Sequence, residues 1–263
     1  MITALYSAAS GMSAQQLNVD TIANNLANAN TTGYKTRRTQ FQDLIYQNMV
    51  QPGTAAGQQT TVPAGLQVGL GTRPAGNEIV FSQGSPTQTG NPMDLAIQGN
   101  GFFQIRQPSG VLAYSRDGTF QLDQNGNIVT SMGYFLEPQI TIPVQAQGVN
   151  IATDGTVSYT MPGQTNAQIA GQLQLANFQN PAGLNGIGQN LYLPTTASGT
   201  AVVAAPGSTE GLGTILQGYQ EQSNVSVVNE FINLIAAQRG YEANSKVVKA
   251  ADEMYQQTNN IAQ

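Results

Sequence analysis

The sequence predicts an α+β protein with a long helix at each end, the two paired as a coiled coil, and a middle rich in antiparallel β-strands. Three observations support this fold class. Apolar residues recur every seven positions at both ends, apolar and polar residues alternate in the middle, and a neutral Gly- and Gln-rich stretch separates the first helix from the strands. A seven-residue repeat is typical of a coiled-coil seam, whereas an alternating pattern is typical of a strand with one buried face.

The N-terminal helix is predicted from two interleaved apolar series. One series consists of Leu5, Met12, Val19 and Leu26, and the other of Ile2, Ala9, Gln16 and Ala23. Only Gln16 is polar, so the seam extends over about four heptads. Gly33 follows the last members and suits the left-handed conformation that closes a helix. The stretch from Ile22 to Arg38, IANNLANANTTGYKTRR, is therefore interpreted as the end of this helix.

The C-terminal helix is predicted in the same way. Its main series consists of Val227, Leu234, Tyr241, Val248, Tyr255 and Ala262, and Val247, Met254 and Ile261 form a second series. Asn224 or Ser226 can cap its start. Gly11 and Gly240 each lie inside a predicted helix, where glycine costs about 1 kcal/mol relative to alanine. Glycine at these two positions therefore suits the close approach of another backbone.

The middle of the chain is predicted to form antiparallel strands. Apolar residues alternate with polar ones at Phe120 and Leu122, at Ile140, Ile142 and Val144, and at Leu173 and Leu175. The dipeptides Asp117-Gly118, Asn125-Gly126 and Asp154-Gly155 are typical of tight hairpin turns. Pro143 indicates an edge strand, because proline cannot donate to the ladder.

The stretch from Gln47 to Gly71 is neutral and rich in Gly, Thr and Gln, and it has neither a helical nor a strand period. Two interpretations remain open. One is a linker or disordered loop. The other is an extended ribbon that lies on a neighbouring molecule.

The composition argues against several classes of function. Charged residues make up 9% of the chain and the net charge is −5, so a nucleic-acid partner is not expected. Lys35, Arg37 and Arg38 form the one basic cluster, which we expect to be a solvated helix exit. Polarity comes instead from 32 Gln and 23 Asn. A disordered chain is disfavoured, because 40% of the residues are hydrophobic and follow regular patterns.

Catalytic, metal and cofactor sites are not predicted. The chain contains no Cys and no His, which excludes Cys/His zinc sites and any mechanism with a His base or a Cys nucleophile. The stretch at Asp123 lacks the calcium-loop glycine spacing, and GNGFFQ at Gly99 lacks the third glycine of a dinucleotide fingerprint. The first sixteen residues do not resemble a secretory signal, and no apolar run is long enough to span a membrane. From the residues alone, a cytoplasmic protein is expected.

Other interpretations of the patterns remain possible at this point. The termini could be two amphipathic helices packed on a globular core. A β-rich adhesin or glycan-binding module would explain the neutral surface and the turns, but not heptads at both ends. An enzyme would need catalytic groups that the sequence does not supply.

Four stretches resemble the axial proteins of the bacterial flagellum, the family of rod, hook and hook-associated proteins. IANNLANANTTGYK is similar to the N-terminal signature of this family. GYQEQSNVSVVNEFINLIAAQRGYEANSKVVKAADEM, residues 218–254, is similar to its C-terminal signature. MDLAIQGNGFFQI and YSRDGTFQLDQNGNIVTSMGYFLEP resemble the β domain of rod and hook proteins. The length and the stretch 44–74 favour a distal rod subunit, with a proximal rod or short hook-type subunit as the alternative.

The resemblance implies a domain organisation and a mechanical function. Residues 1–43 and 218–263 would form a helical inner domain, residues 44–74 an extended hairpin, and residues 75–217 an antiparallel β-rich outer domain. The protein would be a non-enzymatic subunit of a stiff hollow tube that transmits torque from motor to hook and carries exported subunits. Its location would be the basal-body rod, reached through the flagellar type III export apparatus without signal cleavage. No cofactor is expected.

The same interpretation assigns partners and contact residues. Partners would be further copies of the chain, proximal rod proteins, the hook protein, the envelope ring proteins and the export apparatus. The expected assembly interface consists of Leu5, Met12, Val19, Asn24, Asn25, Leu26, Val227, Leu234, Tyr241, Val248 and Tyr255. The expected hairpin contacts are Gln51, Pro52, Gln59, Pro63 and Leu66. The Asn residues are expected to satisfy backbone groups at the helix end and to bridge adjacent copies.

Overall fold

The computed structural model describes residues 2–53, 64–164, 166–208 and 211–261. The chain divides into two compact units. The helical unit contains residues 1–27, 37–78 and 226–263, and the β unit contains residues 28–36 and 79–225. The short segment 28–36, which follows the first helix, therefore belongs to the β unit.

Two long helices dominate the helical unit, and their contact confirms the predicted pairing of the termini. Helix α1 spans Ile2–Ala27 and helix α2 spans Val227–Ile261. They run antiparallel, since Gly11 of α1 lies beside Asn244 of α2, and Gln15 lies beside Gly240.

Small side chains fill the contact between the helices. Among the helix residues whose side chains the structure describes, the buried apolar ones are Ala8, Ala14, Ile22, Ala237 and Ala251, four of them alanines. A Cβ added at Gly11 would lie 2.8 Å from the Asn244 amide nitrogen, and one at Gly240 would lie 3.4 Å from the Gln15 side chain. The expected approach of another backbone was therefore wrong: the Asn244 side-chain amide comes close to Gly11, and Gly240 makes an ordinary contact with the Gln15 side chain.

Four strands complete the helical unit. They are β1 (Arg37–Asp43), β2 (Tyr46–Val50), β3 (Leu66–Gly69) and β4 (Thr72–Ile79). Strand β1 pairs with β4, and β2 pairs with β3 in antiparallel register, with Tyr46 opposite Gly69 and Asn48 opposite Gln67. The stretch that lacked a clear period therefore forms an antiparallel ribbon over its described residues.

The β unit is built from sixteen described strands, most of them short. The first eight are β5 (Pro86–Gln88), β6 (Leu95–Gln98), β7 (Phe102–Arg106), β8 (Leu112–Ser115), β9 (Phe120–Leu122), β10 (Ile128–Thr130), β11 (Phe135–Glu137) and β12 (Gly148–Ile151). The others are β13 (Thr156–Thr160), β14 (Gln168–Gln172), β15 (Leu175–Asn177), β16 (Asn185–Gly188), β17 (Leu191–Leu193), β18 (Val202–Ala204), β19 (Thr214–Gln217) and β20 (Tyr219–Glu221).

Every described strand pair of the β unit is antiparallel. The largest sheet has the order β16-β17-β8-β7-β11-β10-β9, and β15 joins it by pairing with β7 and β18. A second sheet has the order β12-β13-β14, while β19 pairs with β6 and β20 pairs with β5. The predicted turns at Asn125-Gly126 and Asp154-Gly155 connect β9 to β10 and β12 to β13.

Three apolar clusters form the core of the β unit, and the smallest contains Ile105, Ala113 and Leu191. The largest contains Leu95, Ile97, Phe103, Phe120 and Leu175, all at most 1% exposed. The Phe103 and Phe120 rings meet edge to face at 5.1 Å between centroids. The second cluster surrounds Phe102, Tyr114, Phe178 and Tyr192. Strand β7 is buried on both faces, since Phe103 lies in the first cluster and Phe102 in the second, so the expectation of one solvated face was wrong for this strand.

Three further details of the sequence interpretation were wrong. Residues 140–144 do not form a strand: Ile140 and Ile142 are buried, but Val144 is 78% exposed, and only Thr141 makes a bridge, to Asn127. Asp117-Gly118 lies in an irregular connection rather than a hairpin turn, because β8 pairs with β7 and β17 while β9 pairs with β10.

The third error concerns Gly33. It has the expected positive φ of 69°, but α1 already ends at Ala27, six residues earlier. A Cβ at Gly33 would lie 2.7 Å from the backbone nitrogen of Asp117. The glycine therefore allows the segment 28–36 to approach another backbone within the β unit, rather than closing the helix.

Candidate assembly interface

An apolar stripe is exposed on the first half of α2. Val228, Phe231, Ile232 and Ile235 are spaced by three, one and three residues and are 68%, 48%, 59% and 52% exposed. This spacing places them on one face of the helix. Full burial of each such side chain contributes about 1.5–3 kcal/mol relative to exposure. The stripe is therefore a surface that gains free energy when it is covered.

The residues expected in the assembly interface are mostly not covered within one chain. Tyr241 is 44% exposed and Tyr255 is 37% exposed. Of the remaining apolar positions, Val227 is exposed, and Leu5, Met12, Val19, Leu26, Leu234 and Val248 are half-buried. Val19 and Tyr241 also line a groove of about 430 Å³ between α1 and α2. The heptad side chains therefore keep surface for a further contact, while alanines fill the contact inside the pair.

Asn25 has the opposite environment. It is 2% exposed, its side-chain oxygen accepts from the Arg37 N–H at 2.9 Å, and its amide donates to the Arg37 carbonyl at 2.8 Å. Asn25 thus satisfies the backbone N–H and carbonyl of Arg37, at the start of β1. Asn24 is exposed. Beside Asn25, burial raises the pKa of Glu230, and a hydrogen bond with Asn25 opposes that rise.

The ribbon of β2 and β3 presents apolar side chains to solvent and is attached to α1 at its base. Ile45, Met49 and Leu66 are 79%, 65% and 55% exposed. The Ser7 hydroxyl donates to the Gly69 carbonyl, and the Thr72 N–H donates to the Ser10 hydroxyl, each at 3.3 Å. Among the expected hairpin contacts, Gln51, Pro52 and Leu66 are exposed, while Gln59 and Pro63 lie outside the described residues.

The expectation of a solvated basic cluster was wrong for Lys35. Its side chain is buried, and its ammonium group donates to the Glu221 carboxylate at 2.6 Å and to the Ser82 carbonyl at 2.8 Å. Burial lowers the pKa of Lys35, and the charge of Glu221 opposes that shift. By contrast, the Arg38 side chain is 67% exposed and pairs with Glu78 at 3.1 Å.

Arg116 joins the same buried cluster. One of its terminal nitrogens lies 3.5 Å from the Glu221 carboxylate, and the other donates to the Gly99 carbonyl at 2.8 Å. Its guanidinium carbon lies 5.4 Å from the centre of the Phe102 ring. Burial lowers the pKa of Arg116, against the charge of Glu221. The sequence pattern gave no signal for this cluster, because Lys35 and Glu221 are 186 positions apart along the chain.

The described residues do not form a metal-binding site. Within residues 2–53, 64–164, 166–208 and 211–261, His, Cys, Asp and Glu side chains do not form a group of three that could hold a metal ion. Neither described helix has the length and apolar character needed to cross a membrane. The surfaces that remain to be explained are those suited to contact with other proteins.

Comparison with known proteins identifies the family. The chain matches three family models: "Flagella basal body rod protein" over residues 5–35, "Flagellar hook protein FlgE/F/G D1 domain" over 96–159, and "Flagellar basal body rod FlgEFG protein C-terminal" over 216–261. It is 48% identical to the flagellar basal-body rod protein FlgG of Buchnera aphidicola subsp. Schizaphis graminum, covering 99% of this chain and all of the relative. It is 49% identical to FlgG of Caulobacter vibrioides over 98% of both chains, and 38% identical to FlgG of Bacillus subtilis over 99% of both.

The chain belongs to the FlgG family of flagellar basal-body rod proteins. It is a structural subunit of the flagellar rod and not an enzyme, and the resemblance noted in the sequence is confirmed. The terminal family models include both partners of the buried ion pair, since Lys35 lies in the first and Glu221 in the last.

Proposed function

We propose that this rod protein polymerises into the distal rod, a stiff hollow helical tube that transmits torque from the motor to the hook. Copies would join through one repeated head-to-tail contact that does not close on itself, which generates a helical filament. The expected interface residues and the division into an inner helical domain, a hairpin and an outer β domain are part of this proposal.

The observation that carries the proposal is the exposed stripe Val228, Phe231, Ile232 and Ile235 on α2. Exposed apolar patches of this kind are typical of protein contact sites. The four side chains of the stripe are uncharged and apolar, so the apolar surfaces of neighbouring copies are suitable partners. The FlgG relatives carry the name of a basal-body rod protein, which supports the same assembly for this chain.

Other partners follow from the position of a rod in the flagellum. The tube would join proximal rod proteins at one end and the hook protein at the other, and it would rotate within the envelope ring proteins. Its subunits would reach this place through the type III export apparatus, without a cleaved signal. The β2–β3 ribbon, through Gln51, Pro52, Gln59, Pro63 and Leu66, would lie on neighbouring copies and stiffen the tube.

The test compares the polymerisation of two matched variants. Phe231→Ser removes an exposed apolar side chain from the stripe, and Val144→Ser removes one from the β unit, where it is 78% exposed. Loss of about 1.5 kcal/mol per contact corresponds to about a tenfold rise in the concentration needed for assembly. Sedimentation and electron microscopy should show this rise for Phe231→Ser, while the wild type and Val144→Ser form straight hollow filaments.

The outcome that contradicts the proposal is equally clear. If Phe231→Ser forms filaments at the wild-type concentration, the stripe is not the assembly surface. A second measurement is hydrogen exchange on dilute, unassembled chain, in which the helices should be weakly protected. Strong protection of amides across residues 1–30 in the monomer would show that the helices do not need neighbouring copies.

A further inference from the structure

The segment 28–36 is attached to the β unit at several separate points. The Gly33 N–H donates to the Glu221 carbonyl at 2.8 Å, and the Thr36 N–H donates to the Asn224 side chain at 2.7 Å. The Thr32 carbonyl accepts from the Asn190 amide at 2.8 Å. A nine-residue segment without its own helix or strand is therefore held by contacts to other parts of the β unit.

The segment 219–225, which precedes α2, is held in the same region. Strand β20 pairs with β5, and the Gln222 N–H donates to the Ser85 carbonyl at 3.0 Å. The Asn224 amide donates to the Val80 carbonyl at 2.8 Å and to the Ser82 hydroxyl at 2.9 Å. Asn224 therefore joins the two segments to residues 80–82 instead of capping α2.

The buried charges lie where these two segments meet. Lys35 comes from the first segment and Glu221 from the second, while Arg116 follows β8. One oxygen of the Glu221 carboxylate accepts from Lys35 and also from the Gly84 N–H at 2.9 Å. The titratable and charged groups that face Lys35 are Glu221 and Arg116, and Tyr192 acts in turn on Arg116.

The charges of this cluster do not balance. Two cations share one carboxylate, all three side chains are at most 3% exposed, and the Arg116 Nε has no hydrogen-bond partner among the described residues. A buried ion pair often adds little net stability, because desolvation offsets the attraction, but loss of one partner leaves an expensive unpaired charge. The fold is therefore sensitive to the loss of the one carboxylate that the two cations share.

We propose that Lys35, Glu221 and Arg116 act as an ionic clamp that fixes the segments flanking both helices, residues 28–36 and 219–225, in the β unit. Lys35 and Glu221 are the positioning residues that connect the N-terminal and C-terminal signature stretches. The clamp is a property of the folded chain and does not depend on the proposed polymerisation.

The proposal makes an unusual prediction for substitutions of the full-length chain. Glu221→Gln leaves two buried cations without a carboxylate and should lower the folded-to-unfolded ratio of the β unit by more than about a hundredfold. Lys35→Met leaves the Arg116–Glu221 pair in place and should have a smaller effect. In the Glu221→Gln background, however, Lys35→Met removes an unpaired cation and should raise the ratio again, which reverses the sign of its effect.

Chemical denaturation of the four proteins measures this reversal, and Glu137→Gln is the matched control. Glu137 also lies in the β unit and pairs with Arg106 at 2.9 Å, but the Arg106 side chain is 53% exposed. Neutralising Glu137 should change the folded-to-unfolded ratio by less than about fivefold, as expected for a surface ion pair. If Glu221→Gln resembles Glu137→Gln, or if Lys35→Met is equally destabilising in both backgrounds, the clamp is refuted.

A local readout separates the clamp from general loss of stability. In Glu221→Gln, exchange of the Gly33, Thr36 and Gly84 amides should accelerate more than exchange of the amides in β7 and β8. Uniform acceleration across the β unit would overturn the proposal. If Glu221→Gln does not fold, the clamp requires that Lys35→Met restore folding in the double variant, and failure to do so is contrary evidence.

Discussion

The helical unit and the β unit use their apolar residues in opposite ways. In the β unit, Leu95, Phe103 and Phe120 are fully buried within a single chain. In the helical unit, Phe231 and Ile235 are about half exposed, and alanines fill the contact between α1 and α2. The β unit therefore completes its core alone, whereas the helical unit leaves its larger apolar side chains available for other molecules.

This difference follows from how each element buries its pattern. A sheet that curves over itself can cover every apolar side chain of one face. A pair of helices can cover only the strip along which they touch, and here small residues occupy that strip. The rest of each apolar face must be covered by additional helices, which suits a subunit of a polymer.

The largest expected effect comes from the deletion of a core side chain. Phe103→Ala should lower the free energy of unfolding of the β unit by about 3–5 kcal/mol, because the cavity is enclosed. Ile235→Ala, at an exposed position of α2, should change the stability of the unassembled chain by less than about 0.5 kcal/mol. Chemical denaturation of dilute protein checks both values. Similar losses for the two variants would abolish the distinction between the units.

A smaller effect is expected from the glycines. Gly33→Ala should cost about 1–3 kcal/mol, since an L-residue is strained at a φ of 69° and its Cβ would meet the Asp117 backbone. Gly240→Ala should instead stabilise α2 by up to about 1 kcal/mol, because its Cβ makes an ordinary contact with Gln15. Thermal unfolding of both variants measures the two signs. A destabilised Gly240→Ala chain would show that α2 has no room for even one methyl group beside α1.

The smallest effect concerns acid. The Asn125 N–H, which donates to the Asp123 carboxylate, lowers the pKa of Asp123 below its ordinary value of 3.8, and the Thr156 N–H does the same for Asp154. A lowered pKa in the folded state contributes stability that is present above pH 3.8 and is lost as the pH falls further. Asp123→Asn should therefore flatten the loss of β-unit stability below this pH.

The acid prediction also sharpens the comparison between the units. Both Asp residues stabilise turns of the β unit, so Asp20→Asn, an exposed change on α1, is the matched control. Circular dichroism between pH 5 and about pH 2 follows the two variants. An equal change for Asp20→Asn and Asp123→Asn would indicate a general effect of net charge rather than the turn hydrogen bonds.

Local sequence patterns predicted the helices and turns well, but they predicted less well which distant residues come into contact. The heptads located α1 and α2, and the Asn-Gly and Asp-Gly dipeptides located two hairpin turns. The pattern at 140–144 was misleading, because Ile140 and Ile142 are buried although their segment is irregular. The Ile142 N–H donates to the Gly126 carbonyl at 2.8 Å, which fixes this segment. Tertiary packing alone can bury alternate residues of an irregular segment, so an alternating pattern does not require a strand.

Lys35 shows the same limit more sharply. In the sequence it stands with Arg37 and Arg38 and reads as part of a solvated helix exit, yet it pairs with a carboxylate 186 positions away. The basic neighbours indicate exposure, and only the fold brings Glu221 to it.

The sequence by itself determined the α+β class, the helical ends, the flagellar family and the lack of a Cys- or His-based active site, because these follow from periodicity, composition and local signatures. Only the tertiary structure decided that alanines rather than heptad residues fill the helix pair, that residues 28–36 belong to the β unit, and that Lys35 is buried. These features depend on which distant segments of the chain come into contact. The free energies of burial and of ion pairing are determined by those tertiary contacts and not by the neighbouring residues in the sequence.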